Sequence, residues 1–495
     1  MSLNPRQLEI YRAILANIPV DAEAEKSIQV HQTPGAVASV LEVADFATAV
    51  FAAMGVLASQ LGQFRGLPAQ SVTIDRRQAG MMFNSVAYFF RCGWQADISA
   101  VHTPVNNFYQ TKDSRWVFFN GAYPHLRLGV LRFLNCPEEP GAIARAVAQW
   151  NGQELEDELS AQGFCVGMLR TAEEWLAHPN GCALAGEPLI AFDQNAGTGR
   201  PIPPAVARPL EGIRVLDFTH VVAGPSVGRL LAEQGADVVH VQNPYHDSIM
   251  SFDLETSFGK RSVYLDLDDP RDMAKIHELA AQADVVVDGY RHGALAARGL
   301  VAEELWKRNP GLVTVELNCY GFTGPWANRR GWEQLAQSVC GLAHRHSLGR
   351  PRPALVPAYF NDYGTGCLGA VGVMAALTRK FADHRGARVR VSLARTGMLG
   401  LEFSQNAEAA VPVGDGDLER YLVDQDSPHG LLTRVGPIAQ LSHTPPYSRL
   451  AASFPGTSTL GFEWESAVEP GLKITHVPTR IFRDKVAHWR GHQEL

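Results

Sequence analysis

The chain has 495 residues, 46% of them hydrophobic and 19% charged, with a formal charge of −7. That length suits two or three packed domains, and the mildly acidic balance argues against nucleic acid or an anionic membrane as the main partner. Seven scattered cysteines without a CxxC pair give neither a disulfide framework nor a zinc ribbon, so no metal site and a reducing, cytoplasmic setting are expected. No apolar run is read as approaching the roughly 18–20 residues of a membrane helix, and Met1 to Pro19 is polar and helix-like, unlike a secretory leader.

In chain order, residues 84–180 mix short strand-like pieces such as Trp116 to Phe119 with helical spacing at 145–150 and 153–162, which predicts a small α+β domain. The Gly- and Pro-rich stretch 181–210 reads as an extended linker. From Gly212 the pattern alternates. Strands are expected at 213–218, 237–241, 261–267, 284–288 and 312–317, with helices at 226–234, 270–283 and 302–308. Strands alternating with amphipathic helices predict an α/β fold: a Rossmann-like, doubly wound parallel sheet over 211–403. Ligands of such sheets sit beyond the carboxyl ends of the strands. The loops to watch are therefore 219–225, 242–262, 289–293 and 318–332. Residues 404–495 read as a C-terminal extension, loop-like to about 430 and weakly periodic beyond.

The stretch Asp362-Tyr363-Gly364-Thr365-Gly366 has an echo at Asp45-Phe46-Ala47-Thr48-Ala49, 317 residues earlier. The same offset carries Gly55 onto Gly372, Phe64 onto Phe381, Val72 onto Val389 and Gly80-Met81 onto Gly397-Met398, without a gap. This is an internal repeat, and residues 1–83 are expected to be a degenerate partial copy of the large domain. Only the later copy frames its aspartate with glycines.

The first βαβ unit is a poor nicotinamide site. Its turn, Thr219 to Pro225, has no GxGxxG, and the second strand ends in Gln242 where an acid would hold the ribose. The same residues closely resemble family III CoA-transferases, the group of the formyl-CoA and carnitine CoA-transferases. The resemblance rests on pieces in family order: Val215 to Pro225, Gly235 to Val241, Gly259 to Ser262, Ala283 to Gly293, Tyr320 to Pro325, and Asn361 to Gly366. It covers about 208–400, while 31–200, including Arg170 to Trp175, resembles the family's later portion. The chain thus reads as the back of one copy fused to the front of another.

The resemblance implies CoA transfer from an acyl-CoA to a carboxylic acid through an aspartyl anhydride and an aspartyl-CoA thioester at Asp362. Gly364 and Gly366 would admit the thioester closely and donate N–H groups to its oxyanion. The structural alternative is that Asp362 caps a helix beginning near Thr365. The family frame further implies CoA contacts from His220, Val221, Ala223, Lys260, Tyr290, Arg291, Arg330 and Trp332. CoA is then a substrate with no permanently bound cofactor, and a homodimer is the implied assembly. The chain departs from the family at His240, Gln242 and Asn243, where a Lys, a Glu and an Arg are usual, and in lacking a glycine-rich lid within 97–107. Two other readings stay open: a non-catalytic acyl-CoA binder, and a racemase or dehydratase of the same fold. Racemisation wants a histidine where this chain has Trp332. Asp45 reads as a relic.

Overall fold

Short runs of β-branched residues set the centre of the molecule. The computed structural model describes residues 1–21, 23–205, 207–291, 293–404 and 410–462; the rest of the expected C-terminal extension, 405–409 and 463–495, lies outside the described residues. Val215-Leu216-Asp217 sits in the middle of a seven-stranded sheet, with Val239 and Val286 in register on either side of Leu216. Across the sheet the strands are Lys260–Tyr264, Asp237–Gln242, Arg214–Asp217, Val285–Asp288, Val313–Asn318, Arg385–Ser392 and Ala191–Thr198. The first six are parallel and the last is antiparallel. This is a mixed α/β fold built on a parallel sheet. The strand order reverses beside Arg214–Asp217: the chain builds outward to Lys260–Tyr264, then returns to the other side at Val285–Asp288.

Connecting helices start where local chemistry directs them. Pro270–Gln282 opens with proline at its first position, and the Asp269 side chain accepts from the Arg271 N–H. Ala223–Glu233 begins three residues before its expected start, directly after Val221, whose φ of +73° is strained for a β-branched residue.

The stretch expected to be a linker is part of the sheet. Ala191–Thr198 pairs antiparallel with Arg385–Ser392 as an edge strand, and its outward Asp193 carboxylate takes Arg388 and Arg390, both at 2.9 Å. An edge strand needs only one hydrogen-bonded side, so a polar, glycine-containing stretch can serve. The buried Arg65 guanidinium donates to the carbonyls of Pro203 and Glu211, tying this passage to the N-terminal part. The expected C-terminal loop also folds back. Helix Asp415–Tyr421 leads into strands Leu422–Ser427 and Gly430–Val435, the latter pairing with Phe90–Arg91, and Gln440–Leu441 pairs with Val72–Asp75. The small antiparallel sheet Phe108–Gln110, Trp116–Phe119, Val166–Met168 carries its own apolar core. Its helix expected at 145–150 instead runs Pro140–Val147, started by Pro140.

Two long helices dominate the core, Val43–Phe64 and Phe360–Asp383. The first is long and apolar enough to cross a membrane, contrary to the sequence reading, but 94% of its apolar window is buried inside the protein. The offset of 317 residues carries its first and last residues onto Phe360 and Phe381. The residues before each helix share one backbone conformation, φ −78° and ψ 62° at Glu42 against φ −82° and ψ 61° at Tyr359. Gly55 lies against the Val72 side chain as Gly372 lies against Val389, each so closely that a Cβ would meet a methyl within about 2.5 Å. The two helices pack on each other. Phe64 and Phe381, offset partners, stack with ring centroids 5.9 Å apart.

Candidate active site

A cavity of about 540 Å³ opens beyond the carboxyl ends of the parallel strands, at the reversal of strand order. Its wall takes residues from six successive strand ends: His220 to Gly224, Asn243 to Asp247, Leu267 and Asp268, Gly289 to Arg291, Leu317 to Cys319, and Leu393. Asp362 lies at its end. The small domain closes it with Tyr123, His125 and Cys165.

Asp362 sits in the first turn of its helix, which starts at Phe360 and not near Thr365, so it does not cap the helix. First-turn amides have no helical acceptor. Glu333 supplies one: its Oε2 accepts from the Asp362 N–H at 2.7 Å and its Oε1 from the Asn361 N–H at 3.2 Å, while Gln337 Nε2 donates to Oε1 at 2.7 Å. Glu333 is buried, and that burial pushes its carboxyl up to about 7. The Asp362 carboxyl is raised well above the usual range, first by burial and then by the nearby Glu333. Among the described residues no side chain pairs with the Asp362 carboxylate.

Asp45 occupies the equivalent place in the other helix under opposite conditions. Arg76 grips it through Nε and Nη2 at 2.7 and 2.9 Å, Gln7 donates at 2.6 Å and Asn4 at 3.2 Å. Burial opposes ionisation, but the Arg76 guanidinium prevails and the pKa is lowered. This carboxylate is ionised and spent on structure.

Of the residues singled out in the sequence, His220, Val221, Ala223, Tyr290, Arg291, Arg330, Trp332 and Asp362 all line the cavity. His220 and Tyr290 face each other with ring centroids 5.7 Å apart. The imidazole is reachable from the cavity yet walled by protein, and that desolvation pulls its pKa down to about 4, so it is neutral near pH 7. Trp332 stacks on Tyr123 at 5.3 Å and its Nε1 donates to Cys165 Sγ at 3.1 Å. Arg330 donates to the Gly163 carbonyl at 3.1 Å, which leaves other N–H groups of its fork for an anion.

Three expected site residues are elsewhere. Lys260 is buried under the sheet, with Nζ 2.9 Å from Asp217 Oδ2 and 2.6 Å from the Pro225 carbonyl. It neutralises a buried aspartate and does not reach the cavity. Gly364 and Gly366 are inside the Asp362 helix, where each amide is committed to the carbonyl four residues back. Their missing side chains serve packing: a Cβ on Gly366 would come within 2.7 Å of the Ala223 carbonyl oxygen, and one on Gly364 within 2.9 Å of Thr396. The sequence reading gave no role to Glu333, although it stands beside Trp332 in the same motif, nor to Tyr123, His125, Tyr245 and His246. The last two sit on the loop after Asp237–Gln242, where Asn243 Oδ1 accepts the Tyr245 N–H at 2.9 Å.

The CoA-transferase family III pattern matches residues 210–420. Among curated relatives, the acetyl-coenzyme A transferase nodX of Hypoxylon pulicicidum is 30% identical over 327 residues, covering 60% of this chain and 54% of the relative. The succinyl-CoA–L-malate CoA-transferase beta subunit of Chloroflexus aurantiacus is 35% identical over 198 residues, covering 37% of this chain and 49% of the relative. A solved structure of a hypothetical protein (Rv3272) from Mycobacterium tuberculosis is 32% identical, covers 40% of this chain and 58% of its own, and has a TM-score of 0.37. The chain spans about half the length of the curated relatives it matches.

Proposed function

We propose that the protein is a CoA-transferase, moving CoA from an acyl-CoA thioester to a carboxylic acid with Asp362 as nucleophile. The observation that carries this reading is an unpaired, buried carboxylate at the end of a strand-end cavity lined with Arg291, Arg330 and a neutral His220. A carboxylate without cation or donor partners keeps its lone pairs for attack. Its desolvation raises both its pKa and its reactivity when ionised.

In the proposed sequence, an Asp362 oxygen attacks the thioester carbonyl carbon and the C–S bond breaks. The acyl group then sits on Asp362 as a mixed anhydride, and the electron pair leaves with the CoA thiolate. The thiolate attacks the aspartyl carbonyl carbon and expels the donor carboxylate, leaving an aspartyl-CoA thioester. The acceptor carboxylate displaces CoA to form a second anhydride. The thiolate takes the acceptor acyl group, and Asp362 returns as carboxylate. Holding CoA in place throughout keeps each recapture ahead of hydrolysis.

The amides of Ala223 and Gly224, in the first turn of their helix and lining the cavity, are the proposed oxyanion donors. They replace Gly364 and Gly366 in that role. Arg291 and Arg330 bind CoA phosphates and Tyr290 the adenine. We further propose that the sheet is a Rossmann-like, doubly wound one, and that the fold is a fused partial duplication; the strand order and the offset pairs above support both. We also propose an acyl-CoA and a small carboxylic acid as substrates, a homodimeric assembly and a cytoplasmic location.

Trapping decides the chemistry. Incubation with acyl-CoA and hydroxylamine should leave a hydroxamate at Asp362, read by peptide mass spectrometry. A protein that binds acyl-CoA yet gives no adduct would be the non-catalytic binder instead.

A further inference from the structure

A second cavity lies apart from Asp362. It holds about 1050 Å³, roughly twice the volume of the first, and no residue lines both. Val37, Phe90, Leu355, Val356, Val413 and Leu418 give it apolar walls, drawn from the N-terminal part, the loop before the Asp362 helix and the C-terminal part. Among the described residues its charged lining is of one sign: Arg350 and Arg352 line it beside His346, and no carboxylate does.

Arg350 is exposed and has no ion pair or hydrogen bond from its guanidinium among the described residues. Arg352 makes one long hydrogen bond, 3.5 Å to the Phe108 carbonyl, and lies over the Trp116 ring at 5.9 Å, leaving other N–H groups of its fork. His346 is only 5% exposed, and its Nδ1 is buried without a hydrogen-bond partner. Burial, helped by Arg350, lowers the imidazole pKa to about 4. It is therefore neutral near pH 7 and adds no charge to the cavity.

We propose that this cavity binds a small organic monoanion with an apolar body, a carboxylate or sulfonate. Its acid head would meet Arg350 and Arg352, and its hydrocarbon the Val37–Phe90–Val413 wall. Charge complementarity disfavours a cation, and a neutral lipid would leave Arg350 unmatched. A volume near 1000 Å³ admits a drug-sized molecule. The site does not rest on the CoA-transfer reading.

The test titrates the purified full chain with 8-anilinonaphthalene-1-sulfonate by fluorescence, then displaces the dye with decanoate or decanol. One class of saturable site is expected, with decanoate displacing about tenfold better than decanol. Arg350→Gln, at an exposed position, should weaken dye and decanoate about tenfold, a change of about 1.4 kcal/mol. Val413→Trp, checked for folding by circular dichroism, should abolish binding by filling the cavity. Asp362→Ala should bind unchanged, and excess CoA should not displace the dye. Absence of saturable binding, equal displacement by decanol, indifference to Arg350→Gln, or displacement by CoA would each overturn the proposal.

Discussion

Glu333 Oε2 accepts the main-chain N–H of Asp362 at 2.7 Å, so the proposed nucleophile is held in place by a second buried carboxylate. The two acids oppose each other's ionisation. Because attack needs the Asp362 anion, the acid limb of kcat/KM should lie above the ordinary carboxylate range. Glu333→Gln keeps one side-chain oxygen, enough for one of the two helix-amide contacts, and removes the neighbouring charge. It should move that limb to lower pH, as read from a pH–rate profile. A limb that does not move would mean that the two carboxylates are not electrostatically linked.

The same pair makes a stability prediction with a definite sign. Both carboxyls have folded-state pKa values above their unfolded ones, so the folded state holds protons that the unfolded state releases. Stability is then full at low pH and lost as pH rises from about 4.5 through about 7, the folded value of Glu333. Relative to the unsubstituted protein, Glu333→Gln should gain about 1–3 kcal/mol of stability between pH 5 and pH 8, given about 1.4 kcal/mol per pKa unit, on top of a pH-independent loss of one helix-amide hydrogen bond. Urea unfolding at the two pH values measures the difference.

Lys260 and Arg291 should part company on mutation. Lys260→Met leaves the buried Asp217 without its cation and should destabilise the fold by about 3–5 kcal/mol. The folded enzyme should keep its KM for acyl-CoA. Arg291→Ala should leave stability unchanged and raise that KM about tenfold, about 1.4 kcal/mol, with a weaker salt dependence. Steady-state kinetics beside thermal unfolding separates the two. A raised KM in Lys260→Met, at unchanged stability, would put that ammonium back at the CoA.

These contrasts mark where the sequence was readable. Val215 to Asp217 and Val285 to Asp288 declared their strands because β-branched runs between turn residues have few other uses. Their loops then brought His220, Tyr290 and Asp362 to one cavity. Lys260 misled because a cation at a strand start reads the same whether it faces a phosphate or a buried aspartate; only the third dimension supplied Asp217. Gly364 and Gly366 misled likewise, since a glycine needed by a neighbouring helix and one needed by a ligand look alike in sequence. Ala191 to Thr198 reads as linker in the sequence because its hydrogen-bond partner, Arg385 to Ser392, is far along the chain. Glu333 stood in a recognised motif, but its task depends on helix amides at 361 and 362 that no local pattern pairs with it.

Asp45 provides the sharpest contrast with Asp362. It has the equivalent place in a matching helix, yet Arg76, Gln7 and Asn4 occupy its oxygens. The connection from strand to helix also differs between the two helices. Residues 319–359 carry Arg330, Trp332 and Glu333, whereas 32–42 hold no counterpart of that trio. Asp45→Asn should therefore act on stability alone. It weakens a buried bidentate charged pair, a loss of about 1–3 kcal/mol. Turnover per folded molecule should not change. Active-site titration by the Asp362 hydroxamate, run beside denaturant unfolding, measures both in one preparation. A fall in turnover at full hydroxamate yield and unchanged stability would give Asp45 a part in the reaction that its ion pair argues against.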